Sequence, residues 1–243
     1  MKLFFQTLLI LLPFFSKSQC IASAVNTGDT VFIAADSRLV EFVTEPNRHR
    51  QDTLFQTTCK IKFAGKFNFV LSDPDDTTRI NIIQKIAASA NNLQELTARY
   101  LEIMKSMIAE HYRFAKEHNP AEYKMVIDKP VFTTWFLGYE NNKSRLISIH
   151  FYVNNGVKKP VVVSASTEEP RFDEICNLKW RQLVDPHNII AGGRAADNSN
   201  VERVRHTVTW QTNMFPRQTG GPIDVLIITK AGKKWIQQKN ECR

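Results

Sequence analysis

Short apolar runs separated by turn residues occupy the first part of the chain. Residues 21–25 and 31–35 are almost continuously apolar, and the Asn-Thr-Gly-Asp sequence between them is typical of a hairpin turn. Such continuous apolar character suits strands of a sheet that is covered on both faces. We therefore predict two strands here, then a polar loop over residues 39–56 and further strands over residues 57–63 and 67–71.

Two helical stripes follow these strands. Asp73 and Pro74 predict a helix start, because aspartate caps a helix and proline fits its first turn. A second stripe begins after Asn92 and repeats apolar residues at three- and four-residue spacing as far as His111. We predict that both stripes face the core and that His111 lies at the boundary of the buried face.

The second half of the chain returns to strands. The predicted elements are strands over residues 130–139, 146–153 and 157–164, a short helix over 172–183, a helix with Val201, Val204 and Val208 facing inward, and a last strand that ends at Thr229. Strands, two helices, strands, a helix and strands predict an α+β domain.

Residues 1–19 have the composition of a signal peptide. Lys2 precedes an apolar run that is too short to span a membrane, and small polar residues follow it. We predict removal of residues 1–19 and a single domain over residues 20–243, secreted or periplasmic, with no membrane contact once the leader is gone.

Cysteine usage leaves two possibilities open. Export permits disulfides, and the four cysteines are Cys20, Cys59, Cys176 and Cys242. A reduced Cys20 leaves at most one pair among the other three, whereas two disulfides would leave no reactive thiol. The sequence does not choose between them.

The charge distribution and the spacing of Cys and His residues limit the partners and ligands that we predict. The formal net charge is +8, but lysine and arginine are scattered without a basic run, so we predict no nucleic-acid partner. No Cys or His pair has the spacing of metal ligands, and we predict neither a metal nor a cofactor.

The segment from Cys20 to the sequence Ala-Ala-Asp-Ser-Arg at residues 34–38 resembles the start of the mature β-subunits of the 20S proteasome and its bacterial relatives. Counted from Cys20 as first residue, Asp36 falls on that family's aspartate without a gap. The resemblance extends over residues 20–90 and again over 219–235, where Thr219-Gly220-Gly221 precedes a last strand. Over residues 91–218 the resemblance rests only on the order of the predicted strands and helices.

This resemblance implies a four-layer α-β-β-α sandwich of the N-terminal nucleophile (Ntn) hydrolase type. It implies that Cys20 becomes the N-terminal nucleophile, with Asp36 and Lys60 as the other catalytic residues and Lys62 as the rival lysine. The expected function is hydrolysis of a peptide or other amide bond through an acyl-enzyme. A homo-oligomer is also possible, since the family forms rings.

The supporting residues depart from the family. Ser72 and Asp73 stand at the corner where the family uses glycine for its oxyanion donor, and Gly192-Gly193 is an alternative source. Pro216 replaces an aspartate and Thr219 a serine, for which Asp197 or Asp224 could compensate.

Two other functions compete with hydrolysis. The missing support residues favour a non-catalytic proteasome-like fold that serves as a binding or assembly module. A lipoprotein acylated at Cys20 is disfavoured, because Lys17-Ser18-Gln19 lacks the aliphatic and small residues of a lipobox.

Overall fold

Two five-stranded antiparallel sheets and a separate two-stranded hairpin, together with helices, make up the described part of the chain. The computed structural model describes residues 21–44, 51–73, 76–127, 130–154, 160–176, 199–214, 216 and 219–239. The strands are β1 (Ile21–Asn26), β2 (Val31–Ala35), β3 (Arg38–Thr44), β4 (Gln51–Thr57), β5 (Ile61–Ala64), β6 (Phe67–Leu71), β7 (Pro130–Glu140), β8 (Lys143–Asn154), β9 (Val162–Glu168), β10 (Phe172–Cys176), β11 (Asp224–Thr229) and β12 (Gly232–Gln237). The helices are α1 (Thr77–Ala87), α2 (Leu93–His118), α3 (Pro120–Val126) and α4 (Asn200–Met214).

The first sheet brings distant parts of the chain together at one end. Its strand order is β10-β1-β2-β11-β12. Ala35 at the end of β2 lies opposite Ala22 near the start of β1 and opposite Asp224 at the start of β11. The residues that follow β2 therefore lie beside the beginning of β1 and the approach to β11.

The second sheet has the order β5-β6-β7-β8-β9, and its two faces contribute to different cores. Since side chains alternate between the two faces of a strand, adjacent residues of β7 point to opposite faces of the sheet and pack in different clusters. Phe136 packs in a cluster with residues of α1 and α2, whereas Trp135 packs in a second cluster. That second cluster also contains Ile33 and Leu226 of the first sheet.

A third apolar cluster joins α4 to the first sheet. Val204 and Val208 of α4 are buried with Val25, Ala34 and Val225. These two valines were predicted to face inward, and the structure confirms it. The chain is thus a mixed α+β fold.

The first two helices after β6, α1 and α2, are capped by side chains. Asp76 accepts a hydrogen bond from the Arg79 N–H at the start of α1, and Asn92 accepts one from the Glu95 N–H at the start of α2. The predicted cap at Asp73 is therefore wrong by three residues. Asp76 takes the cap because α1 begins at Thr77 rather than at Pro74.

Two other predicted elements are wrong. Residues 39–56 are not all loop, since β3 and β4 pair as an antiparallel hairpin on either side of residues 45–50. The predicted helix over residues 172–183 is instead strand β10 over its first five residues, because they pair along the length of β1. Residues 177–183 lie outside the described residues.

The remaining strand predictions are close to the structure. β2 and β6 have the predicted bounds, whereas the strand predicted over 57–63 begins only at Ile61 and the one predicted over 157–164 begins at Val162. No helix among the described residues is long and apolar enough to cross a membrane.

Candidate functional site

A buried ion pair stands at the end of β2. Lys60 Nζ lies 2.5 Å from Asp36 Oδ1, and both side chains are fully buried. Asp36 directly follows β2, and Lys60 directly precedes β5 of the other sheet. The pair therefore connects the two sheets at the end where β1 begins.

A glycine turn closes over the same aspartate. The Gly220 N–H donates to Asp36 Oδ2 at 3.0 Å, and the Gly220 carbonyl accepts from the N–H groups of Ser37 and Arg38. Gly220 and Gly221 have φ angles of 138° and 75°, which favour glycine. Both carboxylate oxygens of Asp36 are thus held, one by a cation and the other by a backbone donor.

A second ion pair holds the segment next to Lys60. Lys239 Nζ lies 3.4 Å from Asp224 Oδ2 and donates to the Thr58 carbonyl at 2.8 Å. The Thr58 N–H in turn donates to the Ser37 carbonyl. Residues 58–60 are therefore fixed between the end of β2 and the residues that follow β12.

Of the two rival lysines, the structure brings Lys60 to Asp36. Lys62 lies within β5 and is half-buried. Lys60 occupies the short connection before that strand, where it can turn inward. The assignment of a catalytic role to Lys60 stays a prediction.

The Ser72–Asp73 corner, predicted as the oxyanion donor, follows β6. The Ser72 N–H donates to the Thr133 carbonyl at 3.0 Å, and Ser72 Oγ accepts from the Thr133 N–H at 3.3 Å. Thr133 Oγ1 also lies 3.1 Å from His150 Nδ1, whose ring reaches Ser148 through Nε2. Ser72 thus belongs to a hydrogen-bonded row that crosses β7 and β8.

Arg79 holds the other residue of that corner. Its Nη2 lies 2.8 Å from Asp73 Oδ2 and its Nε lies 2.7 Å from Asp76 Oδ2. Burial opposes the charge of Arg79, but the carboxylates of Asp73 and Asp76 outweigh it, so the pKa of Arg79 is raised. The guanidinium stays charged at every working pH.

Tyr100 lies in the same buried region. Its hydroxyl is 2.9 Å from Thr134 Oγ1, and burial raises the pKa of Tyr100 against the opposing positive charge of Arg79. Tyr100 is therefore neutral and serves as a hydrogen-bonding partner of β7.

Cys59 takes part in a disulfide bond. Because the chain has four cysteines, its partner is Cys20, Cys176 or Cys242. A disulfide next to Lys60 restricts the backbone that carries the lysine.

Several predicted residues lie outside the described part of the chain. They are Cys20, the alternative oxyanion donors Gly192 and Gly193, and the compensating Asp197. Of the other positions, Thr219 is buried beside the glycine turn, and Asp224 is the partner of Lys239. His111 is half-buried against Tyr112, as expected of a boundary residue.

Sequence reasoning missed Arg79 and Lys239. Arg79 follows Asp73 and Asp76 at six and three residues, a charge spacing that could have suggested an ion pair at the helix start. No local sequence pattern predicts the ion pair of Lys239, because its partner is set by the pairing of β11 with β12.

The arrangement can hold a cationic group beside a reacting atom and can supply backbone donors. A fully buried lysine next to a carboxylate lowers the pKa of a nearby thiol through its positive charge. Within the described ranges, no group of three or more His, Cys, Asp or Glu side chains is placed to hold a metal ion.

No protein-family model matches this sequence, and none of the curated proteins matches it.

Proposed function

We propose that this chain is an exported cysteine-type Ntn hydrolase that cleaves a peptide or other amide bond. The observation that carries the proposal is the Asp36–Lys60 pair, with both side chains fully buried and 2.5 Å apart. The pair lies at the end of the first sheet where β1 begins, and Cys20 directly precedes β1 in the sequence. Buried charges are costly, and such pairs often mark functional sites.

The packing of the sheets supports the fold part of the proposal. One apolar cluster joins α1 and α2 to the second sheet, one joins the two sheets, and one joins the first sheet to α4. Helices, sheet, sheet and helix in that order are the layers of the α-β-β-α sandwich that the resemblance implies.

The chemistry would proceed in two steps. The α-amino group of Cys20, whose ordinary pKa is about 7.7–8.0, takes the thiol proton, and the thiolate attacks the carbonyl carbon of the amide. The carbon–nitrogen bond breaks, and the departing amine takes that proton. Water then hydrolyses the thioester, which releases the acid and restores the thiol.

Lys60 and Asp36 would act on this reaction electrostatically. The ammonium of Lys60 stabilises the thiolate, and Asp36 holds the ammonium in place. The Gly220 N–H fixes the second oxygen of Asp36, so the carboxylate cannot rotate away from Lys60 without losing a hydrogen bond.

The oxyanion donor falls on the Ser72–Asp73 corner. The N–H of Ser72 donates to the Thr133 carbonyl of β7, which makes Ser72 the less suitable donor of the two residues.

The disulfide of Cys59 supports export, because disulfides persist in oxidising compartments. The identity of its partner decides whether the alternative function applies. If Cys20 is the partner of Cys59, no thiolate is available, and the fold would serve as a non-catalytic binding or assembly module.

The test begins with the full chain secreted from a bacterial or eukaryotic host. Its intact mass and N-terminal sequence should show a chain that starts at Cys20 with a free amine. Iodoacetamide should then label the peptide that contains Cys20 without prior reduction, and Cys20→Ala should remove that labelled peptide while leaving any label on the remaining unpaired cysteine.

A panel of fluorogenic peptide amides and N-acyl amides gives the functional measurement. We expect turnover by the wild-type chain and none by Cys20→Ala. A chain that starts before Cys20, a Cys20 found in a disulfide, or turnover that survives Cys20→Ala would each overturn the proposal.

A further inference from the structure

The outer strands of the two five-stranded sheets meet along one side of the molecule. β12 is the last strand in the order of the first sheet, and β5 stands at one end of the order of the second. Trp235 of β12 and Phe63 of β5 have ring centroids 5.9 Å apart, and Phe63 is 38% exposed. Two strand edges are therefore joined at the surface by an aromatic contact.

Positive charge is concentrated along these two edges. Residues 60–72 contain three lysines and residues 225–239 contain four, and neither segment contains an aspartate or a glutamate. Two of these lysines belong to the ion pairs described above. Lys230, Lys233 and Lys234 instead lie where β11 turns into β12, at the surface. The fold thus brings lysines that are scattered in the sequence to one basic edge.

Lys233 links this charge to the aromatic contact. Its Nζ lies 5.0 Å from the centroid of the Phe63 ring, which is within the range of a cation–π interaction. Partial loss of hydration at this position lowers the pKa of Lys233. Because side chains alternate along a strand, Lys233 and Trp235 share one face of β12 and Lys234 lies on the other. Both faces of this edge therefore carry a cation.

The backbone of β12 is open on its outer side. β12 pairs with β11, and within the part of the chain that the structure describes no second strand pairs with it. The outward N–H and C=O groups of such a strand are a template for another extended segment. Lysines on an edge repel a second copy of the same edge, but they attract a segment of opposite charge.

We propose that β12 is a docking edge for an extended acidic peptide of a partner protein, which pairs with it as an added strand. Adjacent acidic residues of that strand would face Lys233 on one side of the sheet and Lys234 on the other. A polysaccharide or a nucleic acid has the charge but not the backbone to pair with an open strand, so the combination favours a peptide. The inference is independent of the proposed hydrolysis, because it uses no residue of the Asp36–Lys60 site.

Fluorescence anisotropy measures the binding. The full secreted chain carries Cys20→Ala, so that the probe stays intact even if the wild-type chain is a hydrolase. The probe is a fluorescein-labelled peptide of about eight residues, the length of one strand, with adjacent glutamates among valines and threonines. We expect saturable binding that weakens as salt is added. No saturable binding up to about 1 mM peptide would overturn the proposal.

Matched double substitutions place the binding on β12. Lys233→Gln/Lys234→Gln should raise the Kd at least about fivefold, because the peptide loses two charged contacts. Lys85→Gln/Lys124→Gln removes the same charge from exposed positions on α1 and α3 and should change the Kd less than about twofold. Equal effects of the two double substitutions would show that only the net charge of the chain attracts the peptide, which would overturn the proposal.

Two further measurements separate strand pairing from charge alone. The same peptide with alternate backbone nitrogens methylated keeps its carboxylates but loses donors, and it should bind at least about tenfold more weakly. Amide hydrogen exchange of residues 232–237 should slow when the unmethylated peptide binds, whereas that of residues 61–64 should not change. Equal binding of the methylated peptide, or slowed exchange confined to residues 61–64, would overturn the proposal. So would heparin or DNA that binds as tightly as the peptide with the same dependence on Lys233 and Lys234, since the edge would then be a polyanion site.

Discussion

Two buried Asp–Lys pairs hold the segment of residues 58–60, one through Lys60 itself and the other through the Thr58 carbonyl. Asp36 and Lys60 are 2.5 Å apart and fully buried, whereas Asp224 and Lys239 are 3.4 Å apart with side chains 2% and 7% exposed. Both pairs join residues that are far apart in sequence.

The second pair has contacts that explain it as a cross-link. Lys239 donates through Nζ to the Thr58 carbonyl and through its backbone N–H to Asp224 Oδ1 at 3.0 Å. It fastens the residues after β12 to the segment before β5. The first pair instead places a cation where β1 begins. Burial and pairing alone therefore do not assign a function to a lysine. What distinguishes Lys60 from Lys239 is that its charge lies at the start of β1.

Matched substitutions of the two lysines should separate these roles most strongly. Lys60→Met and Lys239→Met remove the same charge and keep a side chain of similar length. We expect Lys60→Met to lower kcat about 100- to 1,000-fold, as the loss of one electrostatic contact to a reacting group does. Lys239→Met should change kcat less than about threefold, measured on the folded fraction at 25 °C.

The labelling rate of Cys20 by iodoacetamide at pH 7 provides a control that needs no substrate. It should fall in Lys60→Met, because the thiol loses the charge that lowers its pKa, and stay unchanged in Lys239→Met. Equal effects of the two substitutions on rate and labelling would show that Lys60, too, is only a cross-link.

The sequence predicted the first pair but not the second, for a physical reason. Asp36 stands in a short local sequence at a fixed distance from Cys20, and a lysine on the next segment follows from the resemblance. The choice between Lys60 and Lys62 needed the structure, since it depends on where β5 begins. The partners Asp224 and Lys239 are set by tertiary contacts that no local sequence records.

The same distinction applies to the fold. Continuous apolar runs and capped stripes predicted β2, β6 and α2, because burial on both faces or on one stripe leaves a local periodicity. The hairpin β3–β4 and strand β10 were missed. Their residues are polar or mixed, and strand formation there depends on pairing with another segment.

The disulfide of Cys59 gives the next largest effect. We expect Cys242 as its partner, because Lys239 bonds to Thr58 and three residues span at most about 10 Å. Cys176 is less suitable, since β10 lies two strand spacings, about 10 Å, from β2, whereas Thr58 next to Cys59 bonds to Ser37 just after β2.

Peptide mapping without reduction checks this pairing directly. Cys242→Ala should lower the free energy of unfolding by about 2–4 kcal/mol, whereas Cys20→Ala should leave the disulfide and the melting temperature unchanged. A peptide that links Cys59 to Cys20 would contradict the prediction. Cys20 would then have no free thiol, and the Asp36–Lys60 pair would have no thiolate to stabilise, which is what distinguishes it from the Asp224–Lys239 pair.

The smallest expected effect concerns the glycine turn over Asp36. Gly221 and Gly28 both have positive φ, at 75° and 92°, so alanine strains the backbone at either position. A Cβ at Gly221 would lie 2.5 Å from Ser37 Oγ, whereas one at Gly28 meets nothing within 4 Å. Gly221→Ala should therefore cost about 1–2 kcal/mol more than Gly28→Ala in urea unfolding, because only the first overpacks its surroundings.

Since the Gly220 N–H holds Asp36, Gly221→Ala should also slow the labelling of Cys20 by iodoacetamide, whereas Gly28→Ala should not. Equal unfolding costs would mean that the turn has room to move, and equal labelling rates would mean that Asp36 does not need the turn to keep Lys60 in place.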